Sequence, residues 1–170
     1  EWQGDPAFAR DLFEPMLAAE SRLMTGSAAI HAISDDIAKT VQARYDVTLP
    51  CTTAVVPLGL SPRPATPGEL PGSPSVLFVG RLESRKGIDV LLSIAPRLLE
   101  AHPGMVITVV GDDTLRDERG STFRARFEEA HGASEVRDRV RFEGRVADDR
   151  LYACYAACDI FVAPSRYESF

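Results

Sequence analysis

The chain has 170 residues, enough for one domain or parts of two, and its 45% hydrophobic and 26% charged side chains are the balance of an ordinary globular protein. A net charge of −6 argues against a nucleic-acid binder, and no apolar run approaches the roughly 18 residues that span a bilayer. Three cysteines (Cys51, Cys154 and Cys158) do not make a disulfide framework, and no His lies near the last two to complete a metal site, so reduced cytoplasmic thiols are expected.

The polar, acidic opening Glu1–Asp5 has no signal-peptide pattern, and both ends read as cut, so a piece of a longer protein is expected. Pro6–Met24 spaces Phe8, Leu12, Phe13 and Leu17 as a helix does, with Pro15 bending or restarting it. Ser27–Ile33 reads as a short buried strand in which His31 has no special role. Ser34 then caps a helix reaching Tyr45, with Asp35 and Asp36 favoured in its first turn; capping explains all three without catalysis. A strand at Thr53–Val56 is followed by Ser61–Pro74, which holds five of the twelve prolines and reads as a semi-extended linker.

From Ser75 the pattern alternates. Strands are expected at Val76–Val79, Met105–Val110, Val140–Phe142 and Ile160–Ala163. Helices are expected at Gly87–His102 (with Pro96 inside), Thr122–His131 and Asp148–Ala157, the last turning Leu151, Tyr155 and Cys158 inward. This order implies an α/β fold with a doubly wound parallel sheet, which binds ligands beyond the carboxyl ends of its strands. Gly80-Arg81, Gly111-Asp112, Gly144-Arg145 and Ser165–Phe170 all fall on that rim. Arg81, Arg85 and Lys86, with Glu83 among them, precede a helix N-terminus, where each cation costs roughly 0.3–1 kcal/mol. Their gathering makes sense around a phosphate, although the segment is neither a Walker loop nor a dinucleotide fingerprint.

The stretches VLFVGRLESRKGIDVLL, VITVVGDD and VRFEGRVADDRLYACYAACDIFVAPSRYESF resemble the nucleotide-sugar-binding domain of retaining GT-B glycosyltransferases, the large group 1 that includes sucrose synthase-like and bacterial mannosyltransferase enzymes. The combination of GRL-x3-KG with PSRYESF carries the resemblance, which covers Ser75–Phe170 densely and Ala29–Leu60 more weakly. It implies that residues 1–60 are the C-terminal part of a first, acceptor-side Rossmann-like domain. Residues 61–74 would then be a linker, and 75–170 a donor-binding domain truncated at its C-terminus.

The resemblance further implies that Arg81 and Lys86 grip the donor's diphosphate beside Gly80. Glu168, the first acid of a Glu-x7-Glu motif, would contact the donor sugar, and backbone N–H groups near Ser169 and Phe170 would face the distal phosphate. Gly144-Arg145-Val146 would read the base through backbone groups. Gly111 and Asp112 would line the donor site, although GDDT replaces the family's GDG-P, so that Asp113 and Thr114 depart from the pattern. The motif's second acid would fall beyond Phe170. Implied partners are a nucleoside diphosphate sugar and an unidentified acceptor (glycan, lipid or small molecule), with no cofactor or metal and no nucleic acid. The implied location is cytoplasmic, with room for peripheral membrane contact through the first domain. A non-catalytic nucleotide-binding module and a nucleotide-sugar epimerase of related fold are the alternatives, and the first domain would discriminate among them.

Overall fold

Alternation of apolar strands with amphipathic helices produces two parallel sheets in the computed structural model, which describes residues 6–50, 52–59, 74–116 and 120–168. The chain divides into one unit of residues 1–61 with 168–170 and a second of residues 62–167. The linker expected at 61–74 lies outside the described residues except for Pro74.

In the first unit, one helical turn α1 (Pro6–Phe8) passes through a π-helical turn at Ala9–Phe13 into α2 (Glu14–Gly26). Pro15 stands in the first turn of α2, where its missing N–H and its ring are tolerated, and the chain widens just before it, so the helix restarts as expected. Strands β1 (Ile30–Ala32) and β2 (Thr53–Val55) pair in parallel, joined by α3 (Asp35–Tyr45). The Ser34 side chain accepts the Ile37 N–H at 3.2 Å, the expected cap. The expected seven-residue buried strand shrinks to three residues, of which only Ala32 is buried, because β2 offers three partners. His31 has a role after all: its Nε2–H donates to the Val56 carbonyl at 2.6 Å, tying β1 to the end of β2.

The second unit carries β3 (Ser75–Val79), a 3-10 turn at Ser84–Lys86, α4 (Ile88–Ala101) and β4 (Val106–Val110). Next come α5 (Phe123–His131), α6 (Glu135–Arg139), β5 (Val140–Gly144), α7 (Asp148–Ala157) and β6 (Ile160–Phe161). The sheet runs β5-β4-β3-β6, all parallel. Alternate β3 residues serve opposite faces: Val76 and Phe78 join the α4 side, whereas Leu77 packs with Val110 and Cys154 on the α7 side. On α4 the residues Ile88, Leu91, Leu92, Ala95 and Leu99 are buried at helical spacing. Their burial, about 1.5–3 kcal/mol for each large side chain, outweighs the roughly 3 kcal/mol that Pro96 costs inside the helix.

Four expectations are corrected. Cys154, not Tyr155, turns inward from α7, because Leu151, Cys154 and Cys158 form the i, i+3, i+7 face while Tyr155 lies against Phe161 at the surface. Strand β6 has two residues rather than four, and both are exposed. Strand β5 runs on to Gly144 through a bulge: Val109 pairs with Phe142 and Val110 with Gly144, so Glu143 is the extra residue. Helix α6 was not foreseen.

Arg139 at the end of α6 secures the α4–β4 turn. Its guanidinium donates to the carbonyls of Leu99 (2.9 Å) and His102 (2.7 Å) at the end of α4 and of Met105 (2.9 Å) just before β4; the His102 carbonyl also accepts the Met105 N–H at 3.0 Å. Each charged hydrogen bond of this kind is worth about 1.5–3 kcal/mol. Arg139→Ala is therefore expected to cost about 2 kcal/mol or more and lower the melting temperature by about 5 °C. An unchanged melting temperature would show that water replaces the guanidinium at no cost.

Candidate functional site

Three strand ends converge on the rim through their own backbones. Gly80 N–H donates to Val110 O at 2.9 Å, Gly111 N–H to Gly144 O at 2.8 Å, and Leu82 N–H to Asp112 O at 2.9 Å. A Cβ on Gly111, whose φ is +145°, would stand 1.8 Å from the Gly80 carbonyl oxygen. Gly111 is thus demanded by the approach of two turns, whatever ligand it lines. Gly80 has no such constraint: a Cβ there would meet Phe78 ring atoms at 3.5 Å and the Lys86 Cγ at 3.7 Å, which places the Lys86 stem beside Gly80.

Arg85 and Lys86 close the 3-10 turn rather than opening α4, and Gly87, at φ +72°, separates them from it. Lys86 stands directly before the Gly87 N-cap of the 14-residue α4, so the cations lie ahead of a helix N-terminus as expected. Glu83 offsets part of their charge, at 3.2 Å from Arg81 and 2.9 Å from Arg85. The phosphate reading rests on where the cations gather. Arg81 is 57% exposed and follows Gly80 directly, and Arg145 is exposed just after the Glu143 bulge.

The acids of the rim have structural partners. Asp112 Oδ1 accepts the Thr114 N–H at 3.0 Å and its hydroxyl at 2.6 Å. Those bonds, helped by the nearby charges of Arg145 and Arg81, hold its carboxyl below the usual range. Asp113, one of the two departures from the GDG-P pattern, binds Arg124 of α5 at 3.0 Å. Arg124 also meets Glu128 at 3.0 Å and lies over the Phe142 ring at 5.6 Å. Among the described residues no three His, Cys, Asp or Glu side chains group as metal ligands do. Burial pushes the Cys154 thiol up, so it stays protonated. The Val146 side chain packs against the Leu77–Val110–Cys154 cluster, which leaves only its backbone for a ligand.

Sequence reasoning missed how the two motif pieces meet. The chain after β6 lies on the 3-10 turn, where a Cβ on Gly87 would come within 2.0 Å of the Pro164 carbonyl oxygen. Arg166 N–H donates to Arg85 O at 2.9 Å, and Arg85 Nη1 donates to Tyr167 O at 3.4 Å. The Arg166 guanidinium forks onto Asp89 at 2.8 and 2.6 Å and also donates to the Ser84 carbonyl. With Asp89 and Arg166 77 positions apart in the chain, no local pattern signals this pair. Glu168 is half-buried and groups with the first unit, so its role rests on the motif; Ser169 and Phe170 lie outside the described residues.

Parallel α/β sheets bind ligands beyond the carboxyl ends of their strands, and the cations and close-packed glycine turns of this unit stand on that rim. Residues 65–170 match the family model described as Glycosyl transferases group 1, and the chain belongs to that family. It is 38% identical over 96 residues to mannosylfructose-phosphate synthase of Agrobacterium fabrum, covering 56% of this chain and 21% of that protein. It is 30% identical over 171 residues to D-inositol 3-phosphate glycosyltransferase of Nocardiopsis dassonvillei, covering 92% of this chain and 39% of that protein. The chain therefore spans well under half the length of either relative. The crystal structure of HepE from Anabaena in complex with UDP-glucose superposes with a TM-score of 0.64 at 20% identity, covering 94% of this chain and 44% of that one. The fold is of the GT-B glycosyltransferase type.

Proposed function

We propose that this chain supplies the donor side of a cytoplasmic glycosyltransferase, which moves a sugar from a nucleoside diphosphate sugar to an acceptor with retention of configuration and without a metal. The observation that carries the reading is the set of Arg81, Lys86 and Arg145 at the turns after β3 and β5, on a rim where Asp112 and Asp113 are engaged with Thr114 and Arg124. Breaking the bond from the anomeric carbon to the diphosphate puts negative charge on the leaving group. Fixed cations and backbone N–H groups stabilise that charge without reorganising. Asp112, Asp113 and Glu83 already hold Thr114, Arg124 and the two arginines, which favours protein cations over a metal as the neutralising charge. Glu168 is assigned to the sugar hydroxyls, Gly80 and Gly111 to the walls of the donor site, and Ser169 and Phe170 to backbone contact with the distal phosphate. The Gly144-Arg145-Val146 turn is assigned to the base. Residues 1–60 are read as acceptor-side and 75–170 as donor-side. No helix among the described residues is long and apolar enough to cross a membrane; the reading includes peripheral membrane contact through the first domain.

Calorimetric titration of the complete protein with UDP-, GDP- and ADP-sugars tests the proposal. Micromolar binding of one donor is expected, with turnover that survives EDTA and an anomeric centre that NMR shows unchanged in configuration. Glu168→Gln is expected to lower turnover while sparing nucleoside diphosphate affinity. Binding without transfer to any acceptor would instead identify a non-catalytic nucleotide module.

A further inference from the structure

We infer that the Asp89–Arg166 pair is a positioning device for sugar transfer: it holds the segment leading into Glu168 against the turn that carries Lys86. The inference rests on the donor-site reading above.

The fork–fork geometry, with both Arg166 Nη atoms on both Asp89 oxygens at 2.8 and 2.6 Å, fixes direction as well as distance. The side chains are 50% and 33% exposed, and an ion pair so exposed contributes little to stability. Stability is therefore a poor account of it. Its partners are more telling. Arg166 also donates its N–H to Arg85 O and its guanidinium to Ser84 O, so one residue holds both ends of the pair Ser84-Arg85 that precedes Lys86. Arg85 returns a bond to Tyr167 O, and Gly87 lets the Pro164 carbonyl come into contact. Asp89 stands in the first turn of α4, anchored by the buried Ile88, Leu91 and Leu92. The rigid helix thus fixes, through Arg166, the segment of residues 164–167, which Glu168 follows in sequence. Neither Asp89 nor Arg166 needs to touch the donor for this.

Removing the pair should leave donor binding by Arg81 largely intact and misplace the sugar-side groups; a misplacement of about 1 Å costs on the order of 100-fold in rate. The experiment compares the complete wild-type protein with Asp89→Asn, Arg166→Gln, the double variant and Arg81→Ala, reading kcat, donor KM and nucleoside diphosphate affinity. Each single variant is expected to lose about 100-fold in kcat with KM and affinity changed less than about threefold. The double variant is expected to be no slower than the worse single one, since both remove the same contact. Additive losses, unchanged kcat, or affinity falling in step with kcat would overturn the inference. If Arg166→Gln does not fold, Arg166→Lys keeps the charge without the fork and is read by the same split. Should the wild type bind no donor, or Arg81→Ala bind as well as wild type, the donor reading itself fails and takes this inference with it.

Discussion

Replacing Arg81 or Lys86 by Ala is expected to lower kcat/KM for the donor by about 100- to 1,000-fold, about 2.7–4 kcal/mol of transition-state stabilisation, without unfolding the protein. The sparing of the fold follows from geometry. The Arg81 side chain is 57% exposed and its ion pair with Glu83 at 3.2 Å is the surface kind, worth about 1 kcal/mol at most. Lys86 closes a three-residue turn whose backbone bonds to Glu83 and Ser84 do not involve its ammonium group. The size of the rate effect follows from chemistry. A leaving diphosphate gains charge as the glycosidic bond breaks, and a cation already in place stabilises that gain more than it stabilises the bound donor. The loss should therefore fall on kcat as well as KM. Stopped turnover assays beside circular dichroism decide the matter. Full turnover in either variant would remove that residue from the phosphate site.

What the sequence made legible were features written over a few neighbouring residues. The continuous apolar run Val76–Val79 marked a buried strand, and the amphipathic spacing that includes Ile88, Leu91, Leu92, Ala95 and Leu99 marked a helix that Pro96 does not stop. Helix α6 escaped because five residues capped by Ser134, four of them charged, carry no periodicity; Val136 is the one whose side chain packs against the core. Tyr155 was turned the wrong way because an aromatic was favoured over a small thiol on a helix of ten residues. The cations of the rim were legible as a cluster ahead of a helix, whereas the 3-10 turn that carries Arg85 and Lys86 was not, because three residues show no periodicity. Long-range pairing left no local trace. Gly87 read as part of a phosphate motif, whereas the structure shows that it also makes room for Pro164.

The glycines of the rim separate packing from ligand contact, and Gly111→Ala is expected to be the most damaging substitution among them. Its Cβ would lie 1.8 Å from Gly80 O and 2.6 Å from Gly80 C, at a φ of +145° that L-residues rarely adopt. Both atoms belong to backbone, so no rotamer change relieves the overlap, and the β3 and β4 turns must part. That breaks the Gly80–Val110, Leu82–Asp112 and Gly111–Gly144 bonds that join three strand ends. A loss above about 4 kcal/mol is expected, enough to leave little folded protein. Gly144→Ala meets open space at φ +66° and should cost only the roughly 1–2 kcal/mol of a left-handed L-residue. Gly80→Ala meets side-chain atoms at 3.5–3.7 Å, an ordinary contact, and should fold normally. Donor affinity of the folded Gly80→Ala protein then asks about the ligand alone, because the methyl group would stand between Phe78 and the Lys86 stem without disturbing the strand ends. Normal stability of Gly111→Ala would mean that the two turns are not in contact. Affinity lost in Gly80→Ala with stability kept would make the surface beside Gly80 a wall of the donor site.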